Sequence, residues 1–109
     1  MHLIEHIHPD LVILEPRERL TVENEAELRE VVRRQLEGGR VRLVLDLAHV
    51  PYIDSCGLGT IAQTHLSARR LGGWLRLLNV TGRNRQLLTV TRLLSVIGVY
   101  EPEEEAASA

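Results

Sequence analysis

The fold turns on residues 43–62, LVLDLAHVPYIDSCGLGTIA. They continue an apolar run, Val41, Leu43, Val44, Leu45 and Leu47, interrupted only by Arg42 and Asp46. Apolar residues on both parities of a strand mark one that is buried on both faces. A short loop containing Pro51 follows. Asp54 and Ser55 then hand over to Gly57, Leu58, Ile61, Ala62, His65 and Leu66, whose apolar members recur at helical spacing. A buried strand, a tight loop and a helix in succession form the first half of a strand–helix–strand unit, and so imply a parallel sheet.

Working outward, residues 3–7 and 11–14 read as two strands joined by Pro9-Asp10, whose turn chemistry predicts a hairpin. Residues 16–21 read as a polar loop. Leu28, Val31, Val32 and Leu36 predict a helix opened by an Asn24–Glu27 capping pair and stopped at Gly38-Gly39. The central helix runs from Gly57 to about Leu71 and ends at Gly72-Gly73, with Ser55 as its N-cap. Residues 74–79 form another apolar strand. Thr81 caps a third helix reaching about Ser95, and Val99-Tyr100 is a last strand after Gly98. Glu101-Pro102 and the acids behind it open a short terminal helix. The order is β-β-α-β-α-β-α-β-α. It defines an α/β fold with a mixed, mostly parallel sheet of about five strands flanked by helices, in one domain over residues 1–109.

Composition bounds the function. At 109 residues with 44% hydrophobic and 26% charged residues, the chain is an ordinary soluble domain. With no Phe and only 3% aromatics the core must be aliphatic. A single cysteine excludes an internal disulfide and fits a reducing, cytoplasmic setting. No apolar run approaches the ~20 residues of a membrane span, and MHLIEHIHPD is not a secretory signal. The net charge of −2, without aromatic–basic interleaving, gives no footprint for nucleic acid. His2, His6 and His8 share strand parity, but no carboxylate or cysteine is placed to complete a metal site; a solvated edge strand accounts for them. His65 lies on the apolar side of its helix, as a hydrogen-bonded, partly buried histidine. Arg69, Arg70, Arg83, Arg85 and Arg92 read as solvated helix faces and Trp74 as half-buried packing. No cofactor is implied.

The junction at Ser55 carries the chemistry. Functional groups of open α/β sheets gather at the carboxyl ends of the strands, and a helix start favours negative charge. Gly57 and Gly59 permit close backbone approach. The plain structural explanation is a serine cap with glycines easing a tight turn. A phosphate cradle of the Walker type needs Lys where Thr60 stands, and a dinucleotide loop needs Gly where Ala62 stands. A nucleophile elbow needs Gly where Ile53 stands. A serine nucleophile also needs a base, yet His65 lies ten residues along the same helix. Cys56 has no histidine or second cysteine beside it, and reads as a small buried thiol acting as a hydrophobe. A hydroxyl that is itself modified stays open beside the plain cap.

The same stretch resembles the STAS domain, shared by anti-sigma-factor antagonists and the cytoplasmic tails of sulfate transporters. The family signature is a buried strand, a short loop, then Asp-Ser-Ser/Thr/Ala-Gly-Leu-Gly opening a helix; Asp54, Ser55, Gly57, Leu58 and Gly59 match, with Cys56 at the variable place. GGWLRLLN and the Leu-Leu…Gly-Val-Tyr tail are also similar. The resemblance implies a binding protein, not an enzyme. It implies that Ser55 is phosphorylated by an anti-sigma factor that is a Ser/Thr kinase and is dephosphorylated by a metal-dependent phosphatase. The bare form sequesters the kinase, as a monomer or weak dimer without membrane insertion. The implied partner surface is Thr21, Glu23, Asp54, Ser55, Cys56, Gly57, Leu58 and Gly59, with Asp46 supporting. Glu18-Arg19-Leu20-Thr21 departs from the Gly-x-Leu-Asp of sporulation-type antagonists and is closer to a bacterial subgroup with Gly-Arg-Leu-Thr. The alternatives are an unmodified scaffold or transport-associated subunit of the same fold, and a small enzyme using Ser55 or Cys56.

Overall fold

A computed structural model describes residues 1–100. Strands β1 (Leu3–Ile7) and β2 (Val12–Pro16) form an antiparallel hairpin. Three strand–helix–strand steps follow: α1 (Glu25–Glu37) to β3 (Arg42–Asp46), α2 (Ser55–Arg70) to β4 (Trp74–Leu78), and α3 (Gly82–Val90) to β5 (Gly98–Tyr100). Strands pair in sequence order, parallel from β2 onward. Each crossover advances the same way, so right-handed connections place all three helices on one face. The core confirms it. Leu28, Val32, Ile61 and Leu88 from the helices join Val12, Leu14, Leu43, Leu45, Leu75 and Leu77 from the strands in one aliphatic cluster. The alternate strand residues Ile13, Val44 and Leu78 form a second cluster with Leu11, against which Trp74 packs on the other face. The continuous apolar run of β3 thus serves two layers, as its composition predicts.

Several local expectations are corrected. Residues 16–21 are not simply a polar loop: Pro16 ends β2, and Leu20 is fully buried and bridges to Ile53. Asn24 does occupy the position before α1, but makes no capping bond to that helix. Its side chain folds back, accepting from the Thr21 N–H at 3.0 Å and donating to the Arg19 carbonyl at 2.6 Å and to Glu18 at 2.8 Å. Glu27 pairs with the N-terminal ammonium instead. The third helix stops at Val90, not near Ser95; Arg92 turns left-handed at φ 62° before a 3-10 turn at Leu93–Ser95. Thr89 and Thr91 explain the stop. They are β-branched, and their hydroxyls bond back to the Arg85 and Leu87 carbonyls at 2.6 and 2.8 Å, which weakens a helix from within. The terminal helix expected from Glu101 lies outside the described residues.

His6 is not simply solvated: although among the described residues no group of three or more His, Cys, Asp or Glu could hold a metal ion, Glu15, buried across the hairpin, meets His6 Nε2 at 2.9 Å and Arg17 at 3.0 Å. Those contacts, the histidine bond first, hold its carboxyl below the usual range. His65 is half-buried as expected, but its Nδ1 is enclosed without a hydrogen-bond partner among the described residues.

Candidate functional site: the Asp54–Gly59 helix start

The site forms where β3 passes into α2. After Asp46 the chain crosses the top of the sheet, held by Leu47 N–H to the Leu78 carbonyl at 2.9 Å and by Asn84 donating to the Val50 carbonyl at 2.6 Å. Val50 and Ile53 are buried and anchor the loop. Asp46 belongs to this scaffold: its Oδ1 accepts from the Ala48 N–H and the Asn79 amide, each at 3.0 Å. These bonds brace the loop from the end of β3.

Residues 20–22 lie alongside. The Leu20 N–H donates to the Tyr52 carbonyl at 2.9 Å, and the Asp54 N–H donates to the Leu20 carbonyl at 3.1 Å. Asp54, not Ser55, is the N-cap of α2. Its Oδ1 accepts from the Gly57 N–H and its Oδ2 from the Val22 N–H, both at 2.9 Å. One carboxylate therefore closes the helix and fastens the neighbouring loop. The Gly57 bond, then the Val22 and Cys56 bonds, hold its carboxyl below the ordinary range. The serine expectation slipped by one residue because Asp and Ser are both good caps.

The two glycines differ. A Cβ on Gly57 would stand 2.6 Å from the Leu20 carbonyl oxygen, so this position must be glycine. A Cβ on Gly59 would meet nothing within 4 Å. Close approach therefore explains only Gly57; Gly59 leaves bare helix surface beside Ser55. Ser55 and Cys56 are exposed on the first turn, which corrects the reading of Cys56 as a buried thiol. Leu58 is half-buried. Thr21 and Glu23 are brought to the same end of the molecule by the Leu20–Asn24 loop, with the Thr21 hydroxyl accepting from the Glu23 N–H at 3.3 Å.

Sequence reasoning missed Thr60, which is buried and donates to Glu25 at 2.7 Å, tying α2 to α1. It also missed Asn84 as the support of the loop. Nothing local signals either role, since both partners are remote in sequence. Tyr52, Ile53, Asp54, Ser55 and Leu58 line a groove of about 450 Å³ against Arg83, Asn84, Gln86, Leu87 and Val90 of α3. His65 cannot serve Ser55: ten residues of helix set their backbones about 15 Å apart.

A five-stranded sheet wound in one direction under three helices, with an exposed serine on the first turn of a carboxylate-capped helix, sums up the fold and its candidate site. The chain belongs to the STAS domain family, whose model matches residues 3–106. It is 32% identical over 98 residues to a Thermotoga neapolitana protein named as a candidate anti-sigma factor antagonist, covering 89% of this chain and 87% of that one. A crystal structure of a Thermotoga maritima protein, titled likewise, superposes with a TM-score of 0.90 at 29% identity, covering 97% and 92% of the two chains. The Bacillus cell fate determinant SpoIIAA, solved in its phosphorylated form, shares the fold alone, with a TM-score of 0.77 at 16% identity over 98% and 97% of the chains. Among the described residues no helix is long and apolar enough to cross a membrane.

Proposed function

We propose that this protein is an anti-sigma factor antagonist that sequesters an anti-sigma factor Ser/Thr kinase while Ser55 is bare and releases it once Ser55 is phosphorylated. The observation that carries the reading is the exposed Ser55 hydroxyl at the opening of a 16-residue helix, fixed in place by Asp54. In the transfer, Ser55 Oγ attacks the γ-phosphorus of ATP held by the kinase, and the bond from that phosphorus to the ADP oxygen breaks. The serine proton passes to a base on the kinase, because both Asp54 oxygens already accept backbone N–H groups. A metal-dependent phosphatase returns the serine by hydrolysis, releasing inorganic phosphate.

Electrostatics makes the modification a switch. A phosphoserine carries about −1.5 to −2 charges. At a helix start it is tolerated, worth about 0.3–1 kcal/mol in favour of the fold. Against a docked partner it must be desolvated or repelled, and a penalty of ~2.7 kcal/mol weakens binding 100-fold. The contact surface comprises Thr21, Glu23, Ser55, Cys56, Leu58 and Gly59, with Asp54 and Gly57 shaping it from beneath. The protein acts by binding and not by catalysis, in the cytoplasm, as a monomer or weak dimer.

Calorimetric titration of the purified kinase with ATP tests this directly. Ser55→Ala should bind as tightly as unphosphorylated protein, and Ser55→Asp about 100-fold more weakly. Equal affinities would favour an unmodified scaffold.

A further inference from the structure

The groove beside Ser55 has an unusual charge setting. Residues 55–100 contain six arginines, Arg69, Arg70, Arg76, Arg83, Arg85 and Arg92, and no Asp or Glu. Earlier in the chain, Arg17, Arg29 and Arg33 form ion pairs with carboxylates. Arg83 makes no ion pair among the described residues. Its guanidinium lies 5.3 Å from the centre of the exposed Tyr52 ring, a cation–π distance that holds it over the groove. Arg83, on α3, and Ser55, on α2, both line that groove. Asp54, the acid at its rim, is committed to two backbone N–H groups. Asn84, next to Arg83 on α3 and only 7% exposed, donates to Val50 but keeps a buried Oδ1 with no partner among the described residues. Among the described residues, the groove thus holds a cation with no carboxylate partner and a buried acceptor with no donor.

We propose that Arg83 is the receptor for the phosphate on Ser55, clamping it across the groove between α2 and α3. The proposal deepens the reading of Ser55 as the modified hydroxyl and rests on it. A guanidinium matches phosphate oxygens in a two-pronged, charge-assisted geometry. Its five N–H donors suffice to serve the phosphate and the Asn84 carbonyl together. The clamp covers Leu58 and Leu87, so phosphorylation removes apolar contact surface as well as adding charge.

The test uses the full chain with phosphoserine placed at position 55 by genetic code expansion, so no kinase is needed. Phosphorus NMR follows the second ionisation of the phosphate, ordinarily near pH 6. The parent should titrate at least roughly half a unit lower than Arg83→Gln, because a nearby cation favours the dianion. Arg83→Lys should recover part of the difference. Arg85→Gln, whose guanidinium is bound to the Val80 carbonyl at 3.0 Å, should titrate like the parent. Asp54, Cys56, Tyr52 and Glu23, the other titratable groups nearby, are common to all four proteins. Amide spectra establish that each variant is folded. Superimposable titrations of parent and Arg83→Gln overturn the clamp. Since the phosphate is installed during translation, that outcome is separate from whether a cellular kinase ever modifies Ser55.

Discussion

At the scale of single residues, Gly57 and Gly59 sit two positions apart in one helix and answer to different demands. Gly57 is required by the Leu20 carbonyl, which leaves no room for a Cβ. Gly57→Ala should therefore cost about 1–3 kcal/mol of stability. Gly59 has open space around it, so Gly59→Ala should raise stability by up to about 1 kcal/mol through helix propensity. Urea denaturation of both variants checks the opposite signs. On the proposed function the stabilised Gly59→Ala should also bind the kinase less well, since its methyl intrudes beside Ser55. The sequence shows two glycines in a helix start and cannot tell them apart. The difference comes from Leu20, more than thirty residues earlier.

At the scale of elements, the joint between the Leu20–Asn24 loop and α2 is the feature that presents the serine. Leu20 is fully buried against it, and Leu20→Ala should cost about 2–5 kcal/mol, read from the denaturation midpoint. Asp54 closes the same joint as a carboxylate with a lowered pKa. Its contribution is present above the ordinary carboxylate range near pH 4 and fades as pH falls through the lowered value. Asp54→Asn keeps a capping oxygen but cannot titrate there. Its midpoint should fall less steeply in acid than the parent's, and parallel acid limbs would contradict the assignment. Most elements were legible from periodicity: β3 from its double-parity apolar run, α1 from Leu28 and Val32. The end of α3 was not, because apolar spacing continues to Leu94 while the threonines unwind the helix. The Asn24 cap was misread because Asn24 has backbone partners on its other side.

At the scale of the whole molecule, topology gathers the site. Strand order and right-handed crossovers set the starts of α2 and α3 side by side at the carboxyl ends of the strands. The alternation of strands and helices makes that much readable in advance. The groove was not readable, because it joins Tyr52 and Ser55 to Arg83 and Val90 across an intervening strand. Ser55 is exposed, and surface substitutions of this kind stay within about ±0.5 kcal/mol. Ser55→Asp should therefore melt with the parent while losing partner affinity, which separates switching from unfolding.

The central claim is that Ser55 is a regulated phosphorylation site. It is tested most directly by intact-mass spectrometry with peptide mapping on protein isolated from its native cells, with and without stress. The expected result is a single phosphate confined to Ser55 whose occupancy changes with conditions. A Ser55 that stays unmodified under every condition, or a phosphate mapped elsewhere, would contradict the account.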